Sequence, residues 1–164
     1  QNMKIGILSD THDNLNSLKK AIEIFKENKI DTILHGGDFI SPFVLRTLEG
    51  SVKKLIGVFG NNDGDKLRLN DLANKMGWEL YLPPHPFELA DKKFLMLHEP
   101  DILEAAAKSG MYDIIIYGHT HKNDIRKENG TLIINSGEAG GWLTGKESIV
   151  ILDTDKMKGE LFFI

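Results

Sequence analysis

Short apolar runs in this chain repeatedly end at a residue able to hold a cation, and that recurrence limits the folds open to it. Lys4 to Ser9 leads to Asp10, Asp31 to His35 leads through two glycines to Asp38, and Lys53 to Phe59 leads through Gly60 to Asn61. Further on, Lys93 to His98 ends on histidine itself, and Asp113 to Tyr117 leads through Gly118 to His119. Near-continuous apolar runs of this length read as buried strands. Helical spacing separates the early ones: Leu15 to Lys29 carries Leu15, Leu18, Ile22 and Phe25 on one face, and a helix opens near Ser41 and Pro42. Leu67, Leu69, Leu72 and Met76 mark a third helix. In open α/β sheets ligands collect beyond the carboxyl ends of the strands, so the pattern predicts that these residues share one edge.

The second half changes character. Pro86 to Ala90 and Lys93 to His98 flank Asp91 as a hairpin would, and Ile102 to Ser109 reads as a short helix. Thr131 to Asn135, Ser148 to Asp153 and Gly159 to Ile164 follow as strands with turns between them, for which antiparallel pairing is expected. The expected fold is α/β, with two mixed β-sheets packed as a sandwich and helices outside. A chain of 164 residues suits one domain, read here as residues 3–164. Gln1 and Asn2 are read as additions before a native start at Met3, with no targeting signal after it.

Composition narrows the function classes. A net charge of −4 offers no basic footprint, so bulk nucleic-acid binding is not expected. The absence of cysteine removes thiolate ligands and agrees with a cytoplasmic protein. Apolar runs such as Ile114 to Tyr117 fall far short of the roughly 20 residues that cross a bilayer, so no membrane role is expected.

The candidate ligands are Asp10, His12, Asp38, Asn61, His98, His119 and His121. Carboxylate, amide oxygen and imidazole together suit divalent ions of the Mn, Fe, Ni and Zn kind, and a two-ion site needs a bridging carboxylate, for which Asp38 is the candidate. Asp10 and His12, like His119 and His121, are two apart, so in extended backbone both members of each pair would face one way. Singly, each has a plain role as a helix cap, a turn residue or a hydrogen-bonded histidine. Ligand types at so many separate strand ends are hard to obtain from caps and turns alone. His35 and His85 lack a second ligand at useful spacing and are left out. Gly140 to Gly145, around Trp142 and Leu143, reads as a surface loop. Gly36-Gly37-Asp38 lacks the lysine and spacing of a Walker loop.

Through Asp10-Thr11-His12, Gly37-Asp38, Gly60-Asn61, His98 and Gly118-His119-Thr120-His121, the chain resembles the calcineurin-like metallophosphoesterases, in particular their small archaeal and bacterial phosphodiesterase branch. The resemblance spans nearly the whole chain and implies a four-layer α/β/β/α fold. It also implies that Asp10, His12, Asp38 and His121 hold one ion and that Asp38, Asn61, His98 and His119 hold another. The implied reaction is hydrolysis of a small phosphate ester, a diester foremost. A hydroxide bridging two divalent ions about 3.5–4 Å apart would attack phosphorus in line. Manganese and nickel are the first expectations, with zinc, iron and magnesium as alternatives. Where the family often carries histidine after the ligand asparagine, this chain has Asn62, which can meet a phosphate oxygen but cannot protonate a leaving group as imidazolium does. Asn135-Ser136-Gly137-Glu138 departs from the family's Asn-Pro-Gly-Ser. The alternatives are a monoesterase, a nuclease, or a non-catalytic protein-binding scaffold on the same fold, and a homodimer is an assembly left open.

Overall fold

The structure is a computed structural model that describes residues 3–164; Gln1 and Asn2, and with them the reading of a native start at Met3, lie outside the described residues. In chain order the elements are β1 Lys4–Leu8, α1 Leu15–Glu27, β2 Thr32–His35, α2 Pro42–Leu48, β3 Lys54–Val58, α3 Lys66–Lys75, β4 Glu79–Tyr81, β5 His85–Leu89 and β6 Lys92–Met96. They continue as α4 Leu103–Ser109, β7 Ile114–Ile116, β8 Asn123–Glu128, β9 Thr131–Ser136, β10 Ser148–Asp153 and β11 Lys158–Phe163.

The strands form two mixed sheets, ordered β11-β10-β1-β2-β3-β4 and β5-β6-β7-β9-β8. Neighbours from β1 through β4 run parallel, as do β6, β7 and β9, so the chain must cross over between most of them. Strand alternation then divides the apolar residues into layers. Ile5 and Ile7 of β1, Phe94 and Met96 of β6, and Ile114 and Ile116 of β7 meet between the sheets. Leu8 and Leu55 face the other way and pack with Leu18, Ile22, Phe25, Leu45 and Leu69 from α1, α2 and α3. On the outer face of the second sheet, Leu95 and Ile115 pack with Leu103 and Ala107 of α4. Because both faces of the central strands are covered, their sequences are continuous apolar runs. Truncating a fully buried side chain such as Leu34 to alanine would cost about 2–5 kcal/mol.

Local chemistry sets where the helices begin. Asn14 Oδ1 accepts from Ser17 N at the start of α1, Ser41 precedes Pro42 at the start of α2, and Asp65 Oδ1 accepts from Arg68 N at the start of α3. The β5–β6 hairpin turns through Ala90 and Asp91, both at positive φ, as a two-residue hairpin turn requires.

Two expectations need correction. The expected antiparallel pairing holds for β10 with β11, but β9 does not join them: it lies in the other sheet, parallel to β7 and antiparallel to β8. Sequence separation cannot report a change of sheet, and the turn region before Ser148 covers that change. Strands β4 and β8 were not foreseen, since Glu79–Tyr81 has only three residues and Asn123–Glu128 is a polar edge strand with one aliphatic residue, Ile125. A polar edge is a usual protection against edge-to-edge pairing, and it erases the apolar signal.

Candidate metal centre

The parallel strands of both sheets deliver their carboxyl ends to one edge. There, backbone hydrogen bonds tie the following loops together: Asp10 N donates to Gly37 O, His12 N to Asp38 O, Gly118 N to His98 O and Gly140 N to Asp10 O. The approach is close enough to demand glycine. A Cβ on Gly60 would lie 2.1 Å from Asp38 Oδ1, and one on Gly118 would lie 2.2 Å from Ser9 Oγ and 2.7 Å from Asp10 Oδ2.

All seven candidate ligands meet at this edge. His12 Nε2 lies 3.2 Å from Asp38 Oδ2 and 3.7 Å from Asp10 Oδ1, and His121 Nε2 lies 3.4 Å from the same Asp10 oxygen. On the other side of Asp38, His98 Nε2 is 3.5 Å from Asp38 Oδ2 and 2.8 Å from Asn61 Oδ1, which His119 Nδ1 also approaches at 3.1 Å. Asp38 therefore lies between two clusters, one with Asp10, His12 and His121 and the other with Asn61, His98 and His119. His35 sits beneath the site and His85 stacks on Tyr81 instead, with neither joining the cluster.

The two-residue spacing works by a different route from the one expected. Asp10, His12, His119 and His121 are not extended; their φ values are 53°, 42°, 68° and 61°, and Asp38 is at 60°. Aspartate tolerates this left-handed region better than most residues, but each such position still carries a cost of about 1–3 kcal/mol unless the surroundings hold it. Tight turns, and not strand alternation, bring Asp10 and His12 together, and they send His119 and His121 to opposite clusters.

Several atoms fit a cation. Asp10 Oδ1 and His12 Nε2 are buried and lack a hydrogen-bond partner among the described residues, although they face each other. An unpaired buried polar atom is costly, so two of them aimed into one gap mark a place where a ligand belongs. His98 Nδ1 donates to Gly36 O at 2.8 Å, so a neutral ring turns its Nε2 lone pair toward the oxygens of Asn61 and Asp38, whereas a protonated ring donates to them. Lone pair against lone pair is repulsive without a positive charge between them. The Asp10 and Asp38 carboxylates, facing His12 Nε2 at 3.7 and 3.2 Å, favour its protonated form and push the His12 pKa up to about 10. Burial opposes ionisation of Asp38, yet the facing imidazoles of His12 and His98, protonated in the metal-free protein, and the two N–H donors of Asn62 outweigh it and hold this carboxyl well below the usual carboxylate range. The site thus carries fixed negative charge that a proton or a metal ion must answer.

Two further carboxylates, neither singled out from sequence, brace the cluster. Asp63 is buried and accepts from the backbone N–H groups of Asp38, Gly60 and Ile40, which locks the β2 and β3 loops together. Glu138 is fully buried; its Oε1 accepts from His121 Nδ1 at 3.0 Å, and its carboxylate also accepts from Leu143 N and Thr144 N. A histidine that donates through Nδ1 keeps Nε2 for a metal. Glu138 follows strand β9, so the strand-end rule that found the other residues would have found it too. Asp63, inside a turn-like Asn-Asn-Asp-Gly stretch, gave no separate signal. Asn62, expected to meet phosphate, donates through its backbone N to Asp38 Oδ1 and through Nδ2 to Asp38 Oδ2, each at 2.9 Å.

Layered sheets with a carboxylate and imidazole cluster at their shared edge suit a hydrolase that works through bound metal ions. Residues 3–157 match the calcineurin-like phosphoesterase superfamily domain, and the chain belongs to that family. It is 43% identical over 157 residues to a phosphodiesterase of Methanocaldococcus jannaschii, a match covering 94% of this chain and 95% of the relative. A solved archaeal phosphodiesterase superposes with a TM-score of 0.91 at 40% identity, over 99% of this chain and all 100% of that one. Vps29 of Chaetomium thermophilum superposes with a TM-score of 0.71 at 17% identity, over 99% and 96% of the two chains, a likeness of fold alone. The chain is accordingly a hydrolase of phosphate esters from a metal-dependent family, with Asp10, His12 and His121, and Asp10, Asp38 and His98, close enough in each group to share an ion. No helix among the described residues is long and apolar enough to cross a membrane.

Proposed function

We propose that this protein is a phosphodiesterase using two divalent metal ions, manganese or nickel foremost, with residues 3–164 acting as one domain. The observation that carries this reading is the pair of buried atoms, Asp10 Oδ1 and His12 Nε2, that lack a hydrogen-bond partner among the described residues and face each other within a cluster of seven ligand-type residues. Asp10, His12, Asp38 and His121 would hold the first ion, and Asp38, Asn61, His98 and His119 the second. When bound, such ions supply Lewis-acid charge and make water acidic enough to serve as nucleophile at neutral pH.

The side chains divide the remaining work. Asp38, between the clusters, fixes their separation. Glu138 and the Gly36 carbonyl hold the rings of His121 and His98 so that Nε2 of each faces the centre. Asn62 uses one amide hydrogen on Asp38, and since an amide carries two N–H donors, the other is available to a phosphate oxygen. No imidazolium stands at that position to protonate a leaving group, so esters with acidic leaving groups should react fastest. With a net charge of −4, the substrate is a small ester and not bulk nucleic acid, and the cytoplasm is the proposed compartment.

The test compares an aryl phosphate diester with the matching monoester, under chelator and with Mn, Ni, Zn or Mg, in the wild type and in Asp38→Ala. Diester cleavage that requires metal and disappears in the variant supports the reading. A scaffold is the rival, favoured by exposed Trp142 and Leu143 beside the site, at 65% and 78% exposure. It would replace the enzyme if no metal restored hydrolysis while metal still bound.

A further inference from the structure

We propose that the cleft running from Asn61 and His98 out to Leu82 and Ile102 receives one arm of the diester, and that this arm is uncharged and apolar, such as an aryl group. The proposal rests on the phosphodiesterase reading and adds to it a class of substrate.

The cleft has a volume of about 360 Å³, within the size range of small-ligand sites of roughly 300–1,000 Å³. Its walls are mainly apolar: Phe59 and Leu97 lie buried at the base, while Leu82, Pro83, Pro84 and Ile102 form the outer wall. Leu82 is 68% exposed and Ile102 45% exposed, an apolar cost that a bound ring would relieve. Location links the cleft to the chemistry, because Asn61 and His98 line it and also belong to the cluster around Asp38. A phosphate seated at that cluster would project one ester arm along the apolar wall.

Charge decides what that arm can be. Glu99 and Asp101 lie on the rim and are exposed, and the one ammonium lining the cleft, Lys66, already donates to the carbonyl of Asp63. Two carboxylates against one ammonium leave the rim with a net negative charge, which would repel a second phosphate or a carboxylate on the arm. The cleft on the opposite side differs. It has about 280 Å³ and is lined by His121, Lys122, Asn123, Thr144, Lys146 and Ser148, with two ammonium groups and no aliphatic wall. The two sides of the centre thus ask for different arms, and the side at Asn61 asks for the apolar one.

Binding of phenylphosphonate and methylphosphonate to the manganese-loaded protein, followed by calorimetry, tests this without relying on turnover. The wild type should bind the phenyl compound about tenfold more tightly, as expected for burying part of a ring. In the double variant Leu82→Ser with Ile102→Ser that preference should vanish. Methylphosphonate affinity should hold, which also verifies that the variant is folded. Equal affinities in the wild type, or a phenyl preference that survives in the variant, would overturn the proposal. Binding of neither compound would bring down the phosphodiesterase reading and the cleft with it.

Discussion

The two halves of the candidate metal centre are built differently. On the Asp10 side, His121 is braced by a carboxylate that is itself fully buried, and Asp10 is closed off from solvent, with its Oδ2 accepting from Ser9 Oγ and His119 N. On the Asn61 side only His98 is buried; Asn61 and His119 are exposed, and a neutral amide stands where the first half has a carboxylate. More charge and more bracing predict tighter hold of an ion in the first half. More exposure and a neighbouring cleft predict that substrate enters by the second.

Gly60→Ala strikes the seam the halves share and should have the largest effect. The new Cβ would lie 2.1 Å from Asp38 Oδ1, so the carboxylate must move. Displacement of a positioning group by about 1 Å can cost roughly 100-fold, so kcat/KM should fall by about that factor, with both metal affinities reduced. A variant with wild-type kinetics would show that Asp38 is not held where both halves need it.

Glu138→Gln should separate the halves. Loss of the carboxylate behind a metal-binding histidine typically lowers affinity by about 10–100-fold, and here only the first ion should be affected. Manganese titration of the variant reads this directly. Equal weakening of both ions would mean that the halves are not independently braced.

Acid stability probes the ground beneath the site, where His35 meets Thr11 and Gly37. His35 is fully buried, stacked on Phe39, and its Nδ1 accepts from Gly37 N, so it must be neutral in the fold. Burial lowers its pKa to about 3. Because the unfolded imidazole titrates near 6.5, the unfolded chain gains a proton below that pH while the folded chain does not, and stability falls until about pH 3. At pH 5 the loss is about 2 kcal/mol. His12 has the opposite sign: its raised pKa, about 10, stabilises the metal-free fold fully below 6.5 and is lost as pH rises toward 10. Metal-free protein should therefore be most stable near pH 6.5. Urea midpoints across pH, with a His35→Gln variant flattening the acid limb, check this.

Asn62→Ala should do least. It removes a side-chain hydrogen bond to Asp38 at an exposed position, worth about 1 kcal/mol, and should slow diester hydrolysis about fivefold with metal affinity nearly kept. A far larger loss would make Asn62 a principal phosphate contact.

Legibility followed the two halves as well. Ligand-type residues stood out because each follows an apolar run, and the same runs gave the buried strands and the layered α/β class. The bracing groups were harder to see. Glu138 carried the same strand-end signal but stood among departures from a family motif, and Asp63 looked like plain turn chemistry until its carboxylate was found under three backbone N–H groups.

The sequence by itself determined the layered α/β class and the strand-end residues whose chemical types suit divalent cations, because periodicity and ligand chemistry are local properties. Only the tertiary structure decided that β9 and β10 lie in different sheets, that left-handed turns send His119 and His121 to opposite clusters, and that Glu138 stands behind His121. Those are relations between segments far apart in the chain, fixed by packing and backbone hydrogen bonds that no local pattern records.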